Sequence, residues 1–190
     1  MINETTEEAF NLLENLLRWT RNQNGKTKIY ATLFNLTPVA RQVVSLFSAI
    51  ANAKEIELIN RIEGKFDIFA DEDMIKTVLR NLISNAIKFT YTGGQVELSL
   101  ADSGDYWTIY VKDNGKGIPK DLQAHLLKSD EYITTYGTHN EKGSGLGLIL
   151  CRDFIRMNKG KLHFYSQEGI GTTFYFTIPK ASSSAEAVSR

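Results

Sequence analysis

The sequence predicts an α/β fold, a two-layer sandwich of one mixed sheet with three helices on one face, preceded by an isolated amphipathic helix. Three observations carry this. Ile75, Val78, Leu79, Leu82, Ile83, Ala86 and Ile87 recur at steps of three and four, the spacing of a helix lying on a core. Gln95 to Ala101 and Tyr106 to Lys112 alternate as antiparallel strands joined through Asp102-Ser103-Gly104-Asp105. A helix from about Ser144 to Asn158, then strands from Lys161 to Ser166 and Thr172 to Ile178, closes the pattern.

Taken from the start, residues 1–24 form a unit of their own. Phe10, Leu13 and Leu17, with Leu12, Leu16 and Trp19 beside them, make an amphipathic helical stripe that stops at Gln23-Asn24-Gly25-Lys26. The main domain spans residues 25–180. It opens with a strand over Lys28 to Leu36, and Thr37-Pro38 then reads as an N-cap followed by proline at the first helical position, starting a helix to about Ala53. Glu55 to Ile62 and Lys65 to Ala70 read as paired strands turning at Gly64, and Asp71 caps the long apolar helix, which is expected to run to Gly93-Gly94. From Pro119 to Lys142 periodicity is poor, which predicts a mobile loop with a short helix. Residues 181–190 read as a disordered tail or linker.

Composition removes several function classes. Charged residues make up 23% of the chain and balance to a formal net charge of zero, so charge implies no nucleic acid or other polyanion as partner. No apolar run reaches the roughly 18 residues of a membrane span, and the acidic start is unlike a signal peptide, so a cytoplasmic protein is expected. The single cysteine, Cys151, lies among Leu148, Ile149 and Leu150 and reads as a buried thiol without chemistry.

Three segments carry residues suited to chemistry. Asn81, Asn85 and Lys88 fall at i, i+4 and i+7, one polar line along the Asp71 helix. Amide oxygens suit magnesium and a lysine suits phosphate, although a solvated helix face has the same pattern. Asp113-Asn114-Gly115-Lys116-Gly117-Ile118 follows an apolar strand, where glycines let the backbone approach a flat ligand; it is equally compatible with a plain turn. Gly143-Ser144-Gly145-Leu146-Gly147-Leu148 opens a helix, placing N–H groups where an anion binds. Its place after a long loop late in the chain argues against a dinucleotide fold.

In this order and spacing, these segments resemble the N, G1 and G2 boxes of the histidine kinase, gyrase, heat-shock chaperone and mismatch-repair ATPase superfamily, whose fold is the Bergerat type. Asn81-Leu82-Ile83-Ser84-Asn85-Ala86-Ile87-Lys88-Phe89-Thr90 resembles the histidine kinase form of the N box, and Gly169 to Phe174 resembles the closing strand. The resemblance implies ATP and Mg2+ as cofactors. It implies that Asn85 holds the metal, Lys88 meets phosphate, Phe89 borders the nucleotide and Asp113 reads the adenine amino group. It also places Asn81, Gly115, Gly117, Ile118 and Lys142 at the nucleotide, wraps Gly143, Ser144, Gly145, Leu146, Gly147 and Leu148 around the phosphates, and sets Thr172 near the adenine. A register shift of one would put Thr173 there instead.

The position of Asn81 is a glutamate in the water-activating branches of the superfamily. An amide cannot take a proton at neutral pH, so transfer of phosphate to an amino acid is favoured over hydrolysis. None of His125, His139 and His163 has the setting of an acceptor, and each is expected to be structural or solvent-facing. Residues 3–22 resemble the second helix of the family's dimerisation and phosphoacceptor hairpin. The resemblance thus implies an acceptor histidine helix elsewhere in the full-length kinase, a homodimer, and a response regulator downstream. Between the G1 and G2 boxes the family's phenylalanine-rich segment has no clear counterpart, and Tyr132 and Tyr136 either substitute for it or simply pack the loop against the body. A serine kinase of the anti-sigma type and a non-catalytic nucleotide-binding or dimerising module are the other readings.

Overall fold

The structure is a computed structural model and describes residues 28–126, 137–139, 141 and 146–180. The expectations for residues 3–22, for Tyr132 and Tyr136, and for the tail after Lys180 lie outside these residues. In order come β1 (Thr32–Asn35), α1 (Leu36–Ala53), β2 (Glu57–Asn60), β3 (Asp67–Ala70), α2 (Glu72–Phe89), β4 (Gln95–Ser103), β5 (Tyr106–Asp113), the single turn α3 (Lys120–Gln123), α4 (Gly147–Met157), β6 (Leu162–Gln167) and β7 (Gly171–Pro179). Among the described residues no helix is long and apolar enough to cross a membrane.

Five strands form the main sheet in the order β2-β4-β5-β7-β6, with β2 parallel to β4 and every other pairing antiparallel. Strand alternation sends Val96, Leu98, Ile109, Val111, Phe174, Phe176, Ile178 and Leu162 to one face. All are buried, and α1, α2 and α4 pack on the sheet. Ile75, Val78, Leu79, Leu82 and Ile83 of α2 have no exposed surface, and each contributes about 1.5–3 kcal/mol by leaving water. The opposite sheet face carries an aromatic ladder in which Tyr175 stacks between Tyr110 and His163, with ring centroids 5.6 and 5.3 Å apart.

Four local expectations change. Helix α1 is capped by Asn35, whose Oδ1 accepts from the N–H groups of Thr37 and Phe66. Thr37, expected as the cap, lies inside the helix and donates its hydroxyl to Gly64 O at 2.8 Å. β2 and β3 do not pair with each other. Arg61 N–H continues the β2–β4 ladder to Leu98 O, and Phe66 O accepts from Leu36 N–H, so the link is held apart by other partners. β3 pairs with β1 in a separate two-stranded ribbon, where one sheet was expected. Helix α2 stops at Phe89, before the glycines.

The N-terminus of α2 follows expectation. Asp71 Oδ1 accepts from Met74 N–H at 3.1 Å and Oδ2 from Tyr30 N–H at 2.9 Å. Asp71 N–H in turn donates to Asn158 Oδ1 at the end of α4, tying two helices together at 2.7 Å. Cys151 is buried, as expected, and burial pushes its thiol pKa well up.

Candidate nucleotide site

The site lies along one side of α2, at the C-terminal end of β5 and at the start of α4. Asn81, Asn85, Lys88 and Phe89 all sit half-buried on α2, because the fully buried stripe occupies the adjoining face. Asn81 Nδ2 donates to Thr77 O at 2.9 Å, which fixes the amide and leaves Oδ1 toward α4. A Cβ on Gly147 would lie 2.7 Å from that oxygen, so glycine is what lets α4 begin against Asn81. Asn85 makes no hydrogen bond among the described residues, and its amide oxygen remains an uncommitted hard donor. Leu146, Gly147 and Leu148 form the start of α4, and Leu146 supplies no capping side chain.

Asp113 ends β5 and is buried. Its Oδ1 accepts from Gly115 N–H at 2.9 Å and from Thr172 N–H at 3.2 Å, so the carboxyl joins its own loop to β7 while Oδ2 makes no hydrogen bond among the described residues. Burial pushes its pKa up to about 6, against the pull of those two N–H groups. Thr172 is the register partner of Asp113, whereas Thr173 pairs with Lys112 and Tyr165 on the other sheet face. Thr172 is therefore the threonine beside Asp113.

The loop after Asp113 is shaped by close backbone approaches. A Cβ on Gly115 would collide with Phe89 O at the end of α2. Gly117 has φ +68° and a Cβ there would collide with Gln167 O, so both conformation and space require glycine. Ile118 N–H donates to Ser166 Oγ at 2.9 Å, and the same hydroxyl lies 2.9 Å from Thr172 Oγ1. The positions of Lys142, Gly143, Ser144 and Gly145 lie outside the described residues.

Three features were not singled out from the sequence. Ser166 joins the Asp113 loop to β7, which no spacing rule reveals because strand pairing brings them together. Lys116 Nζ sits 5.0 Å above the Phe89 ring, and Lys88 Nζ lies 5.3 Å from the same centroid, so two cations flank one aromatic residue. Lys54 meets Thr138 and Glu141 at the end of α2, more than eighty residues away in sequence, and none of the three belongs to a motif. His139 lies against Thr92 Oγ1 at 3.2 Å and His163 stacks on Tyr175, in keeping with structural or solvent-facing roles. Among the described residues no cluster of three His, Cys, Asp or Glu side chains could hold a metal alone.

Comparison with known proteins bears on the family and the fold. Residues 70–182 match the family model described as histidine kinase-, DNA gyrase B-, and HSP90-like ATPase. The adaptive-response sensory kinase SasA of Crocosphaera subtropica is 30% identical over 170 residues, 88% of this chain and 44% of that protein. The nucleotide-free catalytic domain of histidine kinase ThkA superposes with a TM-score of 0.67 at 31% identity, over 80% of this chain and 96% of that one. The structure of ThkA in complex with response regulator protein TrrA gives a TM-score of 0.71 at 26% identity, over 96% and 51%. The chain spans less than half the length of that SasA relative. With an asparagine pair on α2, a buried aspartate ending β5 and a glycine-started α4, the chain belongs to the histidine kinase-, DNA gyrase B-, and HSP90-like ATPase family, and is homologous to the catalytic domains of two-component sensor histidine kinases.

Proposed function

We propose that this domain binds ATP with Mg2+ and passes the γ-phosphoryl group to a histidine on a helix of the full-length kinase, for onward transfer to a response regulator. The observation that carries the reading is the pairing of amides on α2 with a carboxyl at the far end of the site. Asn81 and Asn85 offer no base to activate water, while Asp113 keeps Oδ2 for a donor such as the adenine amino group. Asn85 fits magnesium as one hard oxygen donor. With no acidic cluster among the described residues, such an ion would share its coordination with phosphates and waters. Bound there, it would neutralise phosphate charge. Lys88 supplies a second positive charge, Phe89 an apolar wall, Thr172 a hydroxyl beside Asp113, and the start of α4 the positive end of its helix dipole. Gly115, Gly117 and Ile118 shape the loop against the base, and Lys142, Gly143, Ser144 and Gly145 complete the phosphate side.

ThkA is seen with a response regulator bound, and a regulator is the expected partner here, with the full-length protein a homodimer whose kinase domain faces the cytoplasm. Titration calorimetry of the chain with Mg-ATP tests the site. The wild type binds, Asn85→Ala loses the magnesium-dependent part, and Asp113→Ala loses adenine nucleotides altogether. A wild type that binds none of them would favour a non-catalytic module. Supplying a complete acceptor hairpin then separates the kinases, since phosphohistidine is acid-labile and phosphoserine is acid-stable.

A further inference from the structure

The last carbonyls of a helix lack partners within it, and a buried helix end must find them elsewhere. At the C-terminus of α2 the partners come from four separate segments. Ala86 O accepts from the N–H and hydroxyl of Thr90. Ile87 O accepts from Lys54 Nζ at 3.0 Å. Lys88 O accepts from Lys54 Nζ at 3.0 Å and from Thr138 N–H at 3.1 Å. Phe89 O accepts from Lys116 N–H at 3.0 Å.

Lys54 is the hub of this junction. It follows α1, is 7% exposed, and spends its third N–H on Glu141 Oε1 at 3.1 Å. An ammonium has three donors, and all three are used. A cation is also the charge that a helix C-terminus favours. Burial alone would raise the Glu141 carboxyl, but its own N–H, that of His139 and the Lys54 ammonium hold it below the usual carboxylate range. Glu141 O accepts from Gly137 N–H, and a Cβ on Gly137 would lie 2.6 Å from Lys88 Cγ, so the segment held by this pair lies against the stem of Lys88.

We infer that Lys54, paired with Glu141, is a positioning residue for the phosphate end of the nucleotide site, fixing the last turn of α2 that carries Lys88 against the segment through Glu141. This rests on the nucleotide reading above. Lys54 touches no ligand; it acts through the backbone of Lys88 and through Glu141. Asp113, on β5, takes its own hydrogen bonds from Gly115 and Thr172, and its loop meets α2 through Lys116 N–H on Phe89 O, none of which Lys54 makes. The consequence is selectivity by ligand part: loss of the pair weakens phosphate binding and spares the base.

Affinities for Mg-ATP and for adenosine, measured in parallel on the wild type, Lys54→Met, Glu141→Gln and the double variant, test this. Lys54→Met is expected to weaken Mg-ATP by about tenfold or more, the scale of hydrogen bonds to a charged group, and to leave adenosine within about twofold. Glu141→Gln, at a partly exposed side chain whose change does not threaten the core, shows a smaller loss of the same kind. The double variant is less than additive, and exchange of the Thr138 amide quickens in both single variants. Equal losses for ATP and adenosine would reduce Lys54 to a stabilising residue and overturn the inference. So would wild-type ATP affinity in Glu141→Gln, which decides the matter even where Lys54→Met fails to fold. If the wild type binds neither ligand, the nucleotide reading falls first and this inference with it; if it binds both and the variants match it, this inference falls alone.

Discussion

At the scale of single residues, Asp113 is a carboxyl whose burial costs stability near neutral pH. Its folded pKa of about 6 lies above the ordinary carboxylate value of 3.8, so between those values the folded chain binds the proton more readily than the unfolded one. Its contribution to stability is therefore full below about pH 4 and is lost as pH rises through about 6. Asp113→Asn keeps an oxygen for Gly115 and Thr172 but turns a donor toward the ligand. This variant should lose adenosine binding while melting no lower than wild type at pH 7, with its advantage shrinking toward pH 4; calorimetric melts across that range check it. Wild-type adenosine affinity should fall as pH drops through about 6, because the protonated carboxyl is a poorer acceptor. Asn81, Asn85, Lys88 and Asp113 were legible in the sequence because each falls within a short segment of recognisable spacing. Ser166 and Lys54 were not, since strand pairing and helix capping bring them to the site from distant segments.

At the scale of elements, α2 is the best-specified part of the chain. Its apolar stripe, its Asp71 cap and the acidic first turn of Glu72 and Asp73 agree with one another. Asp71→Ala should cost about 1–2 kcal/mol, the upper range for a cap, because it also frees Tyr30 N–H. Urea unfolding would read this, with unchanged ATP affinity of the folded fraction. Boundaries were less legible where tertiary partners decided them. Thr37 looked like a cap, yet its hydroxyl binds Gly64 O and Asn35 caps α1 instead. The end of α2 depends on carbonyl partners from Lys54, Thr138 and Lys116, so Phe89, not the next glycine pair, is its last residue.

At the scale of the molecule, a nucleotide bound as proposed would bridge α2, the central helix of the layer, to α4 and to the ends of β5 and β7. Binding restricted to the folded state should stabilise it by linkage, about 2.7 kcal/mol at a ligand concentration one hundred times Kd. Thermal melts with Mg-ATP should show a Tm rise of several degrees in the wild type, much reduced in Asn85→Ala when magnesium is varied. By itself the sequence determined the α/β class, the β4–β5 hairpin, α2 and the order of the three site segments, because periodicity, caps and short motifs are local properties of a chain. Only the tertiary structure decided that β2 runs parallel to β4, that β1 and β3 form their own ribbon, that Thr172 is the threonine beside Asp113, and that Lys54 closes the end of α2. Each of these depends on which distant backbone group a donor or acceptor reaches, and burial enforces that choice after the chain has folded.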